Sequence, residues 1–228
     1  MIAIIRGAWL IAKKDLTVEA RSRELAYTTL FFAVACVLVF AFAFVDSDGN
    51  PIPGAPAGIL WVAVAFSGTL ALGRTFERER QSETLRALLL APIERAAVYL
   101  GKLLALLLLM LCVEAVIVPL IGFLFGAPIG AAPWLLAGLL LAGTVGFAAV
   151  GALFAAMLGR ARSRDVLLPV LLYPITVPVV IAGVQGTQAL FAAEPHFNSA
   201  SVWLSMLVFF DAVFVTLALW TFGPVMSE

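Results

Sequence analysis

Two carboxylates sit where a carboxylate is costly. Glu114 and Asp211 each interrupt an otherwise uncharged apolar run, and an acid at the centre of a lipid-spanning helix carries about 2.5–3.5 kcal/mol of insertion cost. Such a group lines a cavity, carries a proton, or serves as a protonated or hydrogen-bonded structural acid between helices. Catalysis would need both acids at one site with shifted proton affinities, and no recognisable catalytic spacing supports it. No Lys or Arg lies inside the apolar runs, so Tyr173, Thr176 and Gln185 are the candidate donors. Other chemistry is sparse. His196 is the single histidine, Cys36 and Cys112 sit inside apolar runs as small hydrophobes, and no Cys/His spacing suits a metal. Gly101-Lys102 lacks the upstream glycine and the following Ser or Thr of a phosphate-binding loop, so ATP must come through another chain.

These residues need elements to hold them, and composition says which kind. The chain has 228 residues, 14 basic and 14 acidic, with 63% apolar residues and a mean hydropathy of +1.09. Soluble domains have about 45–50% apolar and 25% charged residues, which excludes a water-soluble globule here. Two cysteines exclude a secreted disulfide framework, and the absence of an independent basic domain argues against nucleic acid. Six runs are apolar enough to span a bilayer: Leu25–Val45, Gly58–Gly73, Leu103–Phe125, Trp134–Gly159, Val166–Ala193 and Val202–Phe222. The first is too long, and begins too far along the chain, to be the core of a signal peptide. Every Lys and Arg falls in the N-terminal segment, the connection between spans two and three, or that between spans four and five. The positive-inside rule then places both termini in the cytoplasm. Trp61, Trp134 and Trp203 read as an outer headgroup belt and Trp220 as an inner one.

The segments between the spans carry their own signals. Residues 1–24 read as an amphipathic helix lying in the inner interface, with Ile2, Ile5, Trp9, Ala12 and Leu16 on its apolar stripe and Arg6, Lys13 and Lys14 off it. Residues 74–102 hold charges at Glu77, Arg78, Glu79 and Glu83, then a stripe of Leu85, Leu88 and Leu89, then Pro92; a second helix begins near Glu94 and runs into span three. Such a segment suits docking into a partner's groove, or is a loop whose leucines fold back on the membrane. Gly151, Ala155 and Gly159 form a small-residue helix-packing run. Pro169, Pro174 and Pro178 predict a broken or re-entrant fifth span, a hinge or a static kink, and Pro119 a similar break in the third near its outer end.

At residues 79–92, Glu-Arg-Gln-Ser-Glu-Thr-Leu-Arg-Ala-Leu-Leu-Leu-Ala-Pro, the chain resembles ABC-2-type exporter permeases. Across nearly its full length it resembles the CcmB family, heme exporter protein B. The pieces are Lys14-Asp15-Leu16 with Arg21-Ser22-Arg23-Glu24, Gly58-Ile59-Leu60-Trp61-Val62, Leu100-Gly101-Lys102-Leu103-Leu104, Gly143-Thr144-Val145-Gly146-Phe147, Val166-Leu167-Leu168-Pro169 and Phe210-Asp211. The resemblance implies an all-α integral membrane protein of ABC-2 permease architecture, a single domain over residues 1–228 in the bacterial inner membrane. It implies a non-catalytic permease subunit of the cytochrome c maturation transporter, working as a homodimer with a CcmA-type ATPase engaged through residues 74–102. CcmC- and CcmD-type membrane proteins and a CcmE-type heme chaperone are the further implied partners.

On that reading the chain binds no cofactor directly: ATP is used by the partner, and heme is a transported or handled ligand. His196 is then a candidate axial ligand of iron, although a lone loop histidine is ordinarily solvated, and the Trp-rich heme motif of the CcmC family is absent. The alternatives are an ABC-2 exporter permease for a lipid, glycan or drug, and an intramembrane enzyme using Glu114 and Asp211.

Overall fold

A backbone surrounded by lipid must satisfy its own hydrogen bonds, and long uncharged runs therefore fold as helices. A computed structural model describes residues 2–45, 52–81, 94–158 and 164–225, and among them are seven helices and no strand. They are α1 (Ile2–Ser22), α2 (Glu24–Ala43), α3 (Ala55–Gln81), α4 (Arg95–Phe125), α5 (Pro133–Met157), α6 (Arg164–Phe191) and α7 (Phe197–Val225). Helices α2 to α7 carry the six stretches able to cross a membrane. The 31 residues of α4 extend about 46 Å, well beyond a hydrocarbon core of about 30 Å. The excess lies at the basic end, where Arg95 opens the helix behind Glu94 as N-cap, as the sequence predicts. Helix α3 likewise continues past its span to Gln81.

Helix α5 is the most enclosed span and packs against α3, α4, α6 and α7. Helices α2 and α7 bury the least and lie outermost. Gly151 of α5 is seated against the side chain of Leu72 on α3, and Ala155, one turn on, is fully buried. Gly159 lies outside the described residues.

Trp61 departs from its predicted place in the outer belt. It is 1% exposed, inside the bundle, and its indole Nε1 donates a 2.9 Å hydrogen bond to Thr187 Oγ1. The ring occupies space that a Cβ on Gly143 of α5 or Gly183 of α6 would overlap. Thr187 satisfies the polar edge and the two glycines admit the ring, so an indole that elsewhere seeks the headgroups is buried without an orphan donor. Trp134 and Trp220 remain exposed on the membrane-facing surface.

The proline reading is also corrected, because α6 runs unbroken from Arg164 to Phe191 through all three prolines, and α4 passes through Pro119. Pro119, Pro174 and Pro178 are exposed, while Leu172, Thr176, Val179 and Ala182 are buried along the packed face of α6. Interhelical packing on both sides of each missing hydrogen bond keeps the helix continuous.

The Trp61 socket predicts that Gly183→Ala lowers stability by about 1–3 kcal/mol through overpacking. Gly73→Ala, where a Cβ meets nothing within 4 Å, serves as the neutral control. Thermal unfolding of the detergent-solubilised protein checks this; equal stability of the two variants would contradict it.

Candidate functional site

The two acids lie on spans that flank α5. Glu114 of α4 is 3% exposed, and one carboxylate oxygen, Oε1, accepts a hydrogen bond from the Thr144 hydroxyl of α5. Its Oε2 has no hydrogen-bond partner among the described residues. Asp211 of α7 faces α5 at Gly146, where a Cβ would stand 2.6 Å from Asp211 Oδ1; that oxygen is buried and without a hydrogen bond among the described residues. Residues 144 and 146 lie about 200° apart around a helix, so Glu114 and Asp211 meet different faces of α5. The geometry gives no shared acid–base site, and the intramembrane-enzyme alternative loses its support.

The predicted donors are elsewhere. Thr144 takes the role foreseen for Tyr173, Thr176 or Gln185. The Tyr173 hydroxyl accepts from Thr69 at 3.2 Å, Thr176 donates to the Leu172 carbonyl of its own helix at 2.9 Å, and Gln185 is exposed. The cysteines are free, but Cys112 is exposed and Cys36 only half-buried, in place of the buried positions expected. His196 is exposed in the connection before α7, beside an open depression lined by Pro195, Phe197, Asn198 and Ser199. No group of His, Cys, Asp and Glu suited to a metal occurs among the described residues.

A third arrangement escaped the sequence reading. Helix α1 packs along the basic end of α4, and its predicted stripe divides in two. Ala8, Ile11 and Ala12 are buried, while Ile5 is exposed and Trp9 is 53% exposed. The helix therefore has two apolar faces, one for α4 and one left for the interface. At the edge of the first, the ammonium of Lys102 on α4 lies 2.6 Å from Asp15 Oδ2, with the lysine side chain 3% exposed; Lys14 lies 3.0 Å from Asp15 Oδ1. The pair is partly buried, the Asp15 side chain being 17% exposed, so loss of either member costs less than the roughly 3–5 kcal/mol of a fully buried pair. The usable signal was a lysine bordering an apolar span and an aspartate beside an apolar stripe.

The segment read as a docking surface falls mostly outside this description. Glu77, Arg78 and Glu79 lie on the last turns of α3, where side chains are outside the described residues, and Glu83, Leu85, Leu88 and Leu89 are outside them altogether.

Six spanning-length helices, four of them packed against α5, define a multi-pass α-helical membrane protein. A family model described as CcmB protein matches residues 6–226, and the chain belongs to the CcmB family. It is 34% identical over 195 residues to a Paracoccus denitrificans protein named heme exporter protein B, covering 85% of this chain and 84% of that one. A Rhodobacter capsulatus protein of the same name is 32% identical over 155 residues, covering 68% and 70%. The Escherichia coli K12 protein of that name is 34% identical over 98 residues, covering 42% and 44%.

The Glu114–Thr144 contact predicts that Thr144→Val, which leaves a buried carboxyl without its donor, costs about 1–3 kcal/mol. Glu114→Gln keeps an acceptor for Thr144 and should cost less than Glu114→Ala. Unfolding midpoints in detergent measure both. Glu114→Gln as damaging as Glu114→Ala, with Thr144→Val neutral, would show that the hydrogen bond is not what holds the acid.

Proposed function

We propose that this chain is the permease subunit of an ABC transporter for cytochrome c maturation. It couples ATP hydrolysis in a partner subunit to release of a heme-loaded chaperone or to heme export. The observation that carries this reading is the family match over residues 6–226, which takes in all six spans and most of α1. The name heme exporter protein B borne by its relatives supports heme as the handled molecule. The partners are a CcmA-type ATPase, CcmC- and CcmD-type membrane proteins and, indirectly, a CcmE-type chaperone; the working unit is a homodimer.

The permease sits in the bacterial inner membrane with both termini cytoplasmic. Residues 74–102 form the coupling segment, with Glu77, Arg78, Glu79 and Glu83 making polar contacts to the ATPase and Leu85, Leu88 and Leu89 buried in it. What supports this placement is that every basic residue falls on one side of the spans, and that α3 and α4 overrun their spans on that side. Gly151, Ala155 and Gly159 serve close packing of α5, and Glu114 and Asp211 are structural acids of the bundle.

Deleting the chain should abolish covalent heme attachment in c-type cytochromes, leave b-type cytochromes assembled and let heme-loaded chaperone accumulate. Heme staining of membrane proteins reads this, and normal c-type cytochromes in a strain without another maturation route would refute the assignment. A reporter fused after Glu228 should report a cytoplasmic location and one in residues 126–133 a periplasmic one; the opposite result removes the proposed orientation.

Each buried leucine contributes roughly 1.5–3 kcal/mol. Leu85→Asp with Leu88→Asp should therefore leave the protein inserted yet reduce ATPase co-purification by orders of magnitude. Undiminished binding at normal membrane abundance would move the docking surface elsewhere.

A further inference from the structure

Asp15 and Lys102 lie 87 positions apart in sequence, and their contact joins two elements with different roles. Lys102 stands two turns into α4, about 10 Å from its start at Arg95, where the helix emerges from the 74–102 segment. At the adjacent Gly101, α1 crosses so closely that a Cβ would stand 2.8 Å from the Ala8 carbonyl oxygen and 2.8 Å from Ile11 Cβ. The other end of α1 is fastened to α2. Glu19 Oε1 accepts the Ala26 N–H at 2.8 Å, the Arg23 N–H donates to the Glu19 carbonyl at 2.6 Å, and Arg23 holds the left-handed conformation, φ 54°, that turns the chain. Helix α1 thus bridges the basic ends of α4 and α2.

Apolar contact at Ala8, Ile11 and Ala12 seats α1 on Gly101 of α4, but a single close crossing point still leaves α1 free to rotate about it. A partly buried ion pair such as this one is a poor source of net stability, because apolar replacements of similar volume are often neutral; what it fixes is register. We propose that Asp15 is a positioning residue whose ion pair with Lys102 makes α1 and the basic end of α4 one rigid body, so that displacement of the coupling segment is carried through α1 to the first span. This rests on the reading of the chain as a permease driven by a partner ATPase.

The test uses the full chain, with Cys36→Ala and Cys112→Ala, in its complex with the ATPase. Lys13→Cys and Glu94→Cys, at exposed positions on α1 and at the start of α4, carry spin labels whose distance distribution, measured with unlabelled chain in excess, reports the joint. With Asp15 and Lys102 intact the distribution should be a single narrow peak. Asp15→Asn should broaden or split it, and exchanging the pair, Asp15→Lys with Lys102→Asp, should restore the narrow peak.

Without the cysteine pair, Asp15→Asn should keep ATPase binding and ATP hydrolysis, while c-type cytochrome yield per folded permease falls about tenfold; the exchanged pair should recover the yield. A distribution unchanged by Asp15→Asn, or already broad with Asp15 and Lys102 intact, would overturn the joint. A yield that falls only in proportion to lost permease would overturn the transmission role in favour of plain stability. The distance lies within this chain, so a pair-dependent distance beside a yield that never depended on ATP would overturn the transporter reading and uphold the joint.

Discussion

The structure depends on α5 having almost no side chains where its neighbours press closest. Between helices in lipid there is no hydrophobic force to gather them, so association rests on close van der Waals approach and on a few polar contacts. Gly143 admits the Trp61 ring, Gly151 admits Leu72, and Gly146 leaves room for the Asp211 carboxyl; Thr144, between the first and third of these, donates to Glu114. Three spans, α3, α4 and α7, thereby find their register on one helix. Both intramembrane acids follow from the same constraint, since each is accommodated by a specific position of α5.

That arrangement explains what sequence could and could not reveal. Span number follows from the alternation of basic and basic-free connections, and the start of α4 near Glu94 follows from Pro92 and the charges beyond it. Facing direction does not follow, because a helix apolar all round carries no periodic signal of which side meets protein. Trp61 illustrates the loss: near a span end an indole suits either a headgroup or a socket, and only the glycines of two other helices decide. The same applies to Glu114, whose donor stands on a helix that composition could not pair with it. The prolines of α6 misled for a related reason, since their local preference is overridden by packing on the opposite face.

Helix α1 was legible as amphipathic but not as a helix with two apolar faces. Its small residues Ala8 and Ala12 read as weakly hydrophobic, yet they permit the approach to Gly101 that larger ones would prevent. The conspicuous residues Ile5 and Trp9 stay outside. Several pieces that carry the family resemblance also turn out to be contacts. Lys14-Asp15 meets Gly101-Lys102, and Trp61 meets Gly143. They form one joint at the basic end and one socket within the bundle.

The central claim, that this chain delivers work from ATP to a heme-loaded chaperone, is tested most directly by measuring chaperone release from the complex reconstituted in lipid. Release should require ATP, this chain and the ATPase together, and a non-hydrolysable ATP analogue should not support it. Release at an unchanged rate when this chain is omitted would contradict the account.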